Sequence, residues 1–166
     1  MTAGPAGYPL DIMTDSNFST SAADADFART ETADALSVAR LRHELSKWPR
    51  AHLTLDRERL NDVLLVANEA LTNSAEYAYR DRAQGTMTLD AHYDGAEGSL
   101  LLNVSDRGRW RHVDPAAQPN TRGRGLPLMR ALSDRMSIAW TADGTSVQMR
   151  FNNCGAGVPA EAFASV

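Results

Sequence analysis

The sequence predicts a two-layer α/β sandwich (an α+β arrangement), in which helices cover one face of a mixed, mostly antiparallel sheet. Three observations carry that expectation. Apolar residues recur with helical spacing in two consecutive segments between Ala33 and Tyr79. From Thr86 onward the period falls to two, and two glycine-punctuated turns divide the strands. A single short helical stretch interrupts those strands, so helices and strands do not alternate as they would in a doubly wound fold.

A strand at about Phe27–Thr32 opens the order. The first helix, about Ala33–Trp48, places Val38, Leu41, Leu45 and Trp48 on one stripe, and Pro49 is expected to end it. The second helix, about Asp56–Tyr79, starts in an acidic turn. Leu60, Val63, Leu64, Ala67, Leu71, Ser74 and Ala78 share one face of it, with Asp62, Glu69, Asn73 and Glu76 opposite. Thr86–Tyr93 alternates as a strand, Asp94-Gly95 reads as a turn, and Ser99–Val104 is a mostly apolar strand. The polar, Arg-rich stretch from Ser105 to Thr121 is too long for an ordinary connection, and loops of that length tend to be functional. A short helix at about Leu126–Ser133 follows it. Arg135–Thr141 and Gly144–Phe151 then form a hairpin around Ala142-Asp143-Gly144.

With 166 residues the chain suits one domain with tails. Residues 1–25, rich in small and polar side chains, read as a mobile tail; 26–152 form the domain, and 153–166 a second tail. Composition excludes some classes of function. The net charge of −4 leaves no general basic face for nucleic acid. One cysteine, Cys154, cannot form an intrachain disulfide or a multi-cysteine zinc site, and fits a reducing, cytoplasmic setting. No basic N-terminal stretch precedes an apolar run and no long apolar window occurs, so neither secretion nor membrane spanning is expected. Lys47 is the only lysine and lacks the surrounding glycines of a phosphate-binding P-loop, which removes that NTPase class.

Chemistry concentrates in four places. Glu69 and Asn73, four residues apart, stack one turn apart on one helix surface. A carboxamide oxygen there can ligate Mg²⁺, and the carboxylate one turn earlier can accept a proton from an attacking hydroxyl, although such pairs also occur on solvated faces. Asp106-Arg107-Gly108 follows an apolar strand; its carboxylate can accept an exocyclic amine, and its glycine admits close backbone approach. Gly123-Arg124-Gly125-Leu126 precedes a helix N-terminus, an anion cradle to which Arg122 and Arg124 add charge. Thr145, after Gly144 in the last hairpin, is the weakest of the four. His43-Glu44-Leu45 looks like a phosphoacceptor box, but Pro49 stands one residue too far along, so His43 reads as an ordinary helix residue. His52, His92 and His112 show no metal spacing, and there is no nucleophile elbow.

Taken in order, Val66–Tyr79, Val104–Gly108, Gly123–Met129 and Gly144–Val147 resemble the Bergerat (GHKL) ATP-binding fold shared by gyrase, Hsp-type chaperone, histidine kinase and MutL ATPases. Within it the chain, over about residues 27–151, resembles the small anti-sigma factor serine kinases of bacterial partner switching. That resemblance implies ATP and Mg²⁺, with Asn73 as metal ligand and Glu69 as catalytic base. It puts Asp106 on the adenine amine with Gly108 beneath the ring. Gly123 and Gly125 would line the phosphates, Arg122, Arg124 and Leu126 fall beside them among the cofactor-binding residues, and Thr145 supports the adenine end. It further implies two protein partners, a sigma factor and a STAS-type anti-anti-sigma protein, often a homodimer, and transcription regulation without direct nucleic-acid or membrane contact. Trp110 stands where a second glycine is usual, and Tyr77 where histidine is frequent. Two other readings stay open: a non-catalytic ATP-dependent switch, and a split histidine-kinase catalytic domain.

Overall fold

The computed structural model describes residues 25–80, 83–109 and 125–156. Of the tails expected at 1–25 and 153–166, residues 1–24 and 157–166 lie outside the described residues, as do 110–124 with Trp110, Arg122, Gly123 and Arg124. Strand β1, Ala25–Thr32, leads into helix α1, Ala35–His52, and a two-residue strand β2, Leu53–Thr54. Helix α2, Arg57–Tyr77, is followed by β3, Thr86–Asp94, and β4, Ser99–Asp106. Helix α3, Gly125–Leu132, precedes β5, Arg135–Thr141, β6, Gly144–Phe151, and β7, Gly155–Ala156. The main sheet runs β1-β3-β4-β6-β5, and every pairing among the described strands is antiparallel.

Both long helices start where a carboxylate can satisfy a free backbone donor. Asp34 accepts the Ser37 N–H at 2.7 Å, and Asp56 accepts the Arg59 N–H at 2.7 Å. Helix α1 therefore begins two residues later than expected, and Ala33 instead donates its N–H to the Gly85 carbonyl at 2.9 Å. Pro49 does not end it. The proline is buried inside the last turn, its carbonyl accepts the Leu53 N–H, and the His52 ring stacks on Trp48 at 5.4 Å. With no N–H to donate to the Leu45 carbonyl, Pro49 leaves the helix one hydrogen bond short at that turn.

The β3–β4 connection also differs from expectation. Asp94 accepts the N–H groups of Ala96 and Glu97 at 2.9 and 3.0 Å, and the left-handed residue is Gly98 (φ 60°), not Gly95. Strand β4 continues two residues beyond Val104. Asp106 is thus its last member, opposite Met87 on β3 and Thr145 on β6.

The core lies between the helices and the sheet. Leu41 and Leu45 of α1, Val63, Val66 and Leu71 of α2, and Met129 of α3 meet Met87, Leu89, Leu100, Leu102, Met149 and Phe151. On α2 the buried stripe is rotated from the one expected. Val66 and Ala70 are fully buried, whereas Leu60 and Leu64 are only half-buried. Glu69 and Asn73 consequently lie on a flank beside α3 and not on the face opposite the core. Packing also continues past Asn152. Cys154 is buried within the core, and β7 pairs with β2. Arg59 fastens this end by an ion pair to Asp134, whose carboxylate accepts the Asn152 N–H at 2.7 Å, and by lying 4.9 Å over the Phe151 ring. No helix among the described residues is long and apolar enough to cross a membrane.

Candidate functional site

Helix α2 carries one half of the site and the strand ends carry the other. Glu69 and Asn73 face the first residue of α3 across a narrow gap. A methyl carbon placed on Gly125 would lie 3.1 Å from Glu69 Oε2, and 3.5 and 3.8 Å from Asn73 Nδ2 and Oδ1. Glycine at this helix start leaves room between a carboxylate, a carboxamide and an N-terminus bearing partial positive charge. The carboxylate and carboxamide oxygens suit a hard cation, whereas the helix N-terminus favours an anion such as phosphate. Among the described residues no group of three or more His, Cys, Asp or Glu side chains could cage a metal. A cation held here would use few protein oxygens and keep water or phosphate ligands, which is the coordination Mg²⁺ prefers. Asn73, backed by Glu69, fits that ion.

The residue after Asn73 reaches the second half. The Ser74 hydroxyl donates to Asp106 Oδ2 at 2.8 Å, while the Gly108 N–H donates to Oδ1 at 3.0 Å. Burial pushes the Asp106 carboxyl above the ordinary carboxylate range, against the opposing pull of the Ser74 hydroxyl and the Gly108 and Thr145 amides. A part-buried carboxylate with donors arranged around it is an acceptor held in one orientation. Thr145, itself buried, pairs with Asp106 on one side and Trp140 on the other.

Two glycines are required here by crowding. A Cβ on Gly108 would fall 2.1 Å from the Ala78 carbonyl oxygen, so its backbone lies directly on the end of α2. Gly144 has φ 151°, and a Cβ there would meet the Asp106 carbonyl oxygen at 2.0 Å. Leu126 packs half-buried against the core. The structure thus gathers Glu69, Asn73 and Gly125 at one point and Asp106, Gly108 and Thr145 at another, with α2 joining them.

Ser74 was legible only as a member of the buried stripe, not as a functional side chain. The available signal was a hydroxyl on an otherwise apolar face, which needs a partner when buried. His43 is exposed on α1. An open groove of about 390 Å³ between α1 and α2, lined by Arg42, Asn68, Thr72 and Glu76 among others, lies on the other flank of α2. It shares no residue with either point of the site.

The helix-backed antiparallel sheet is that of the GHKL ATPase fold, and it carries an acid–amide pair on its second helix and a fixed carboxylate at the end of a strand. The chain belongs to the family described as the histidine kinase-like ATPase domain, which matches residues 31–151. Among solved structures it is similar to the RsbU and RsbW domains of Rv1364c from Mycobacterium tuberculosis, at 22% identity and a TM-score of 0.60. That similarity covers 82% of this chain and 34% of the other, so the chain spans about a third of that structure's length and shares its fold. The histidine kinase domain of the blue-light activated histidine kinase EL346 from Erythrobacter litoralis overlaps less, at 25% identity and a TM-score of 0.46, covering 57% of this chain and 45% of the other. No curated protein matches the chain significantly.

Proposed function

We propose that this protein is a cytoplasmic ATP-binding anti-sigma factor that phosphorylates a serine or threonine on a STAS-type anti-anti-sigma protein, regulating transcription by partner switching. The observation that carries this reading is the meeting of Glu69, Asn73 and the start of α3 at Gly125, with the buried Asp106 carboxylate bonded to the next residue, Ser74. Membership of the ATPase family and the fold shared with a chain containing an RsbW domain support it.

In this reading Asp106 accepts the adenine exocyclic amine and Thr145 supports the same end of the base. Gly123 and Gly125 line the phosphates, Arg122 and Arg124 add charge, and Leu126 stands beside them at the cofactor. Asn73 would hold Mg²⁺, which would offset phosphate charge. Glu69 takes the proton of the attacking hydroxyl as its oxygen bonds to the γ-phosphorus, and ADP leaves with the electrons of the broken P–O bond.

The test is Mg-ATP with a STAS partner, using wild type and Glu69→Ala. Wild type should form acid-stable phosphoserine or phosphothreonine. Glu69→Ala should lose transfer by at least about 100-fold, the usual span for general-base removal, while binding nucleotide nearly as well. Partner affinity that responds to nucleotide equally in both proteins, with no transfer in either, would replace the kinase by a non-catalytic switch. Acid-labile phosphohistidine on a partner would replace it by a split histidine kinase.

A further inference from the structure

Immediately after α2, the Tyr79 ring reaches across to the ends of two strands. Its hydroxyl lies 2.5 Å from the Thr86 carbonyl at the start of β3 and 2.9 Å from the Arg107 N–H just past β4. The chemistry of these partners fixes its role on each side. A carbonyl can only accept, so the phenol donates to Thr86; an amide N–H can only donate, so the phenol oxygen accepts from Arg107. Both functions of one hydroxyl are used, and its orientation follows.

The segment it holds is the one that presents Asp106. Ladder pairing on β4 ends at Asp106, opposite Met87 and Thr145. Beyond that point three consecutive amides are each held by a non-ladder acceptor. Arg107 N–H is held by Tyr79 Oη, Gly108 N–H by Asp106 Oδ1 at 3.0 Å, and Arg109 N–H by the Ala78 carbonyl at 3.0 Å. The ring is itself seated on Gly85, where an added Cβ would fall 2.1 Å from Tyr79 Cε1. Gly85 is pinned in turn by its carbonyl, which accepts the Ala33 N–H.

We propose that Tyr79 is a positioning residue for the nucleoside end of the site. Through Arg107 it sets the orientation of the Asp106 carboxylate and the course of the chain leaving β4. This inference rests on the nucleotide-binding reading above. The phenol bonds to Thr86 and Arg107 and not to Glu69, Asn73 or Gly125 of the phosphate end, so the two ends separate in a binding experiment.

Calorimetric titration with ADP, and with ATP with and without Mg²⁺, on wild type, Tyr79→Phe and Gly85→Ala makes that separation. Tyr79→Phe should weaken ADP and ATP by the same factor, about three- to tenfold as expected for a lost hydrogen bond. The increment in affinity due to Mg²⁺ should not change, and amide exchange at Arg107 should accelerate. Gly85→Ala, which displaces the ring but leaves its hydroxyl chemically intact, should reproduce this pattern and carries the test if Tyr79→Phe does not fold. Wild-type ADP affinity in a folded variant overturns the positioning role while nucleotide binding stands. Loss confined to ATP with Mg²⁺ also overturns it. Failure of folded wild-type protein to take up either nucleotide removes the nucleotide-binding reading itself.

Discussion

Ser74→Ala probes the hydrogen bond that joins the two halves of the site. The serine is buried on α2 and donates to Asp106 Oδ2 at 2.8 Å. A hydrogen bond to a charged acceptor contributes about 1.5–3 kcal/mol. Alanine returns roughly 0.5 kcal/mol through better helix propensity, so the net loss should be about 1–2.5 kcal/mol at neutral pH. The sign with pH follows from Asp106, whose pKa is raised on folding because burial outweighs its donors. A carboxyl raised on folding stabilises most below its unfolded pKa, and that contribution is lost as pH rises through the folded pKa. Ser74 opposes the rise. Its removal lifts the folded pKa further, and the destabilisation should grow as pH climbs through that value. Urea unfolding of wild type, Ser74→Ala, Asp106→Asn and the double variant at several pH values measures this directly. The double-mutant cycle should give a coupling of about 1–2 kcal/mol at pH 7 that shrinks in acid. Additive single effects, or a Ser74→Ala penalty that is flat or falls with rising pH, would refute the reasoning.

Other outcomes follow from the same geometry. Asn73→Ala should abolish the Mg²⁺-dependent part of ATP affinity and leave metal-free nucleotide binding within about twofold, the scatter of an unperturbed site, as read by calorimetry with and without chelator. Gly125→Ala places a carbon 3.1 Å from Glu69 Oε2 and should reduce ATP affinity about tenfold or more with little change in the melting temperature; equal ATP affinity in the two proteins counts against a phosphate site at this junction. Arg59→Ala removes the ion pair to Asp134 and the contact over Phe151. It should cost about 1–2 kcal/mol in urea unfolding without altering nucleotide affinity, because this cluster lies at the opposite end of β6 from Thr145.

Where the sequence reading succeeded, the signal was local. Val38, Leu41 and Leu45 mark a stripe by spacing alone, and all three are buried. The hairpin Arg135–Thr141 and Gly144–Phe151 is announced by its turn residues, and both strands occur with those bounds. Where it missed, a distant partner decided. Pro49 reads as a stop until Trp48 beside it is seen packed against Phe27 of β1, which holds the last turn in place. Cys154 reads as a tail residue until β7 is found paired with β2, more than a hundred positions away. The rotation of the α2 stripe goes with its packing against α1 and α3 on either side, which no periodicity within α2 encodes.

By itself, then, the sequence determined the succession of the three helices and the five strands of the main sheet, their layering, and the stacking of Glu69 over Asn73. Each of these is a consequence of backbone geometry repeating over a few residues. Tertiary structure alone decided that Gly125 meets that pair, that Ser74 holds Asp106, and that Gly108 must lie bare against Ala78. Those contacts join residues tens of positions apart, and they exist only once burial of the core has fixed how the helices sit on the sheet.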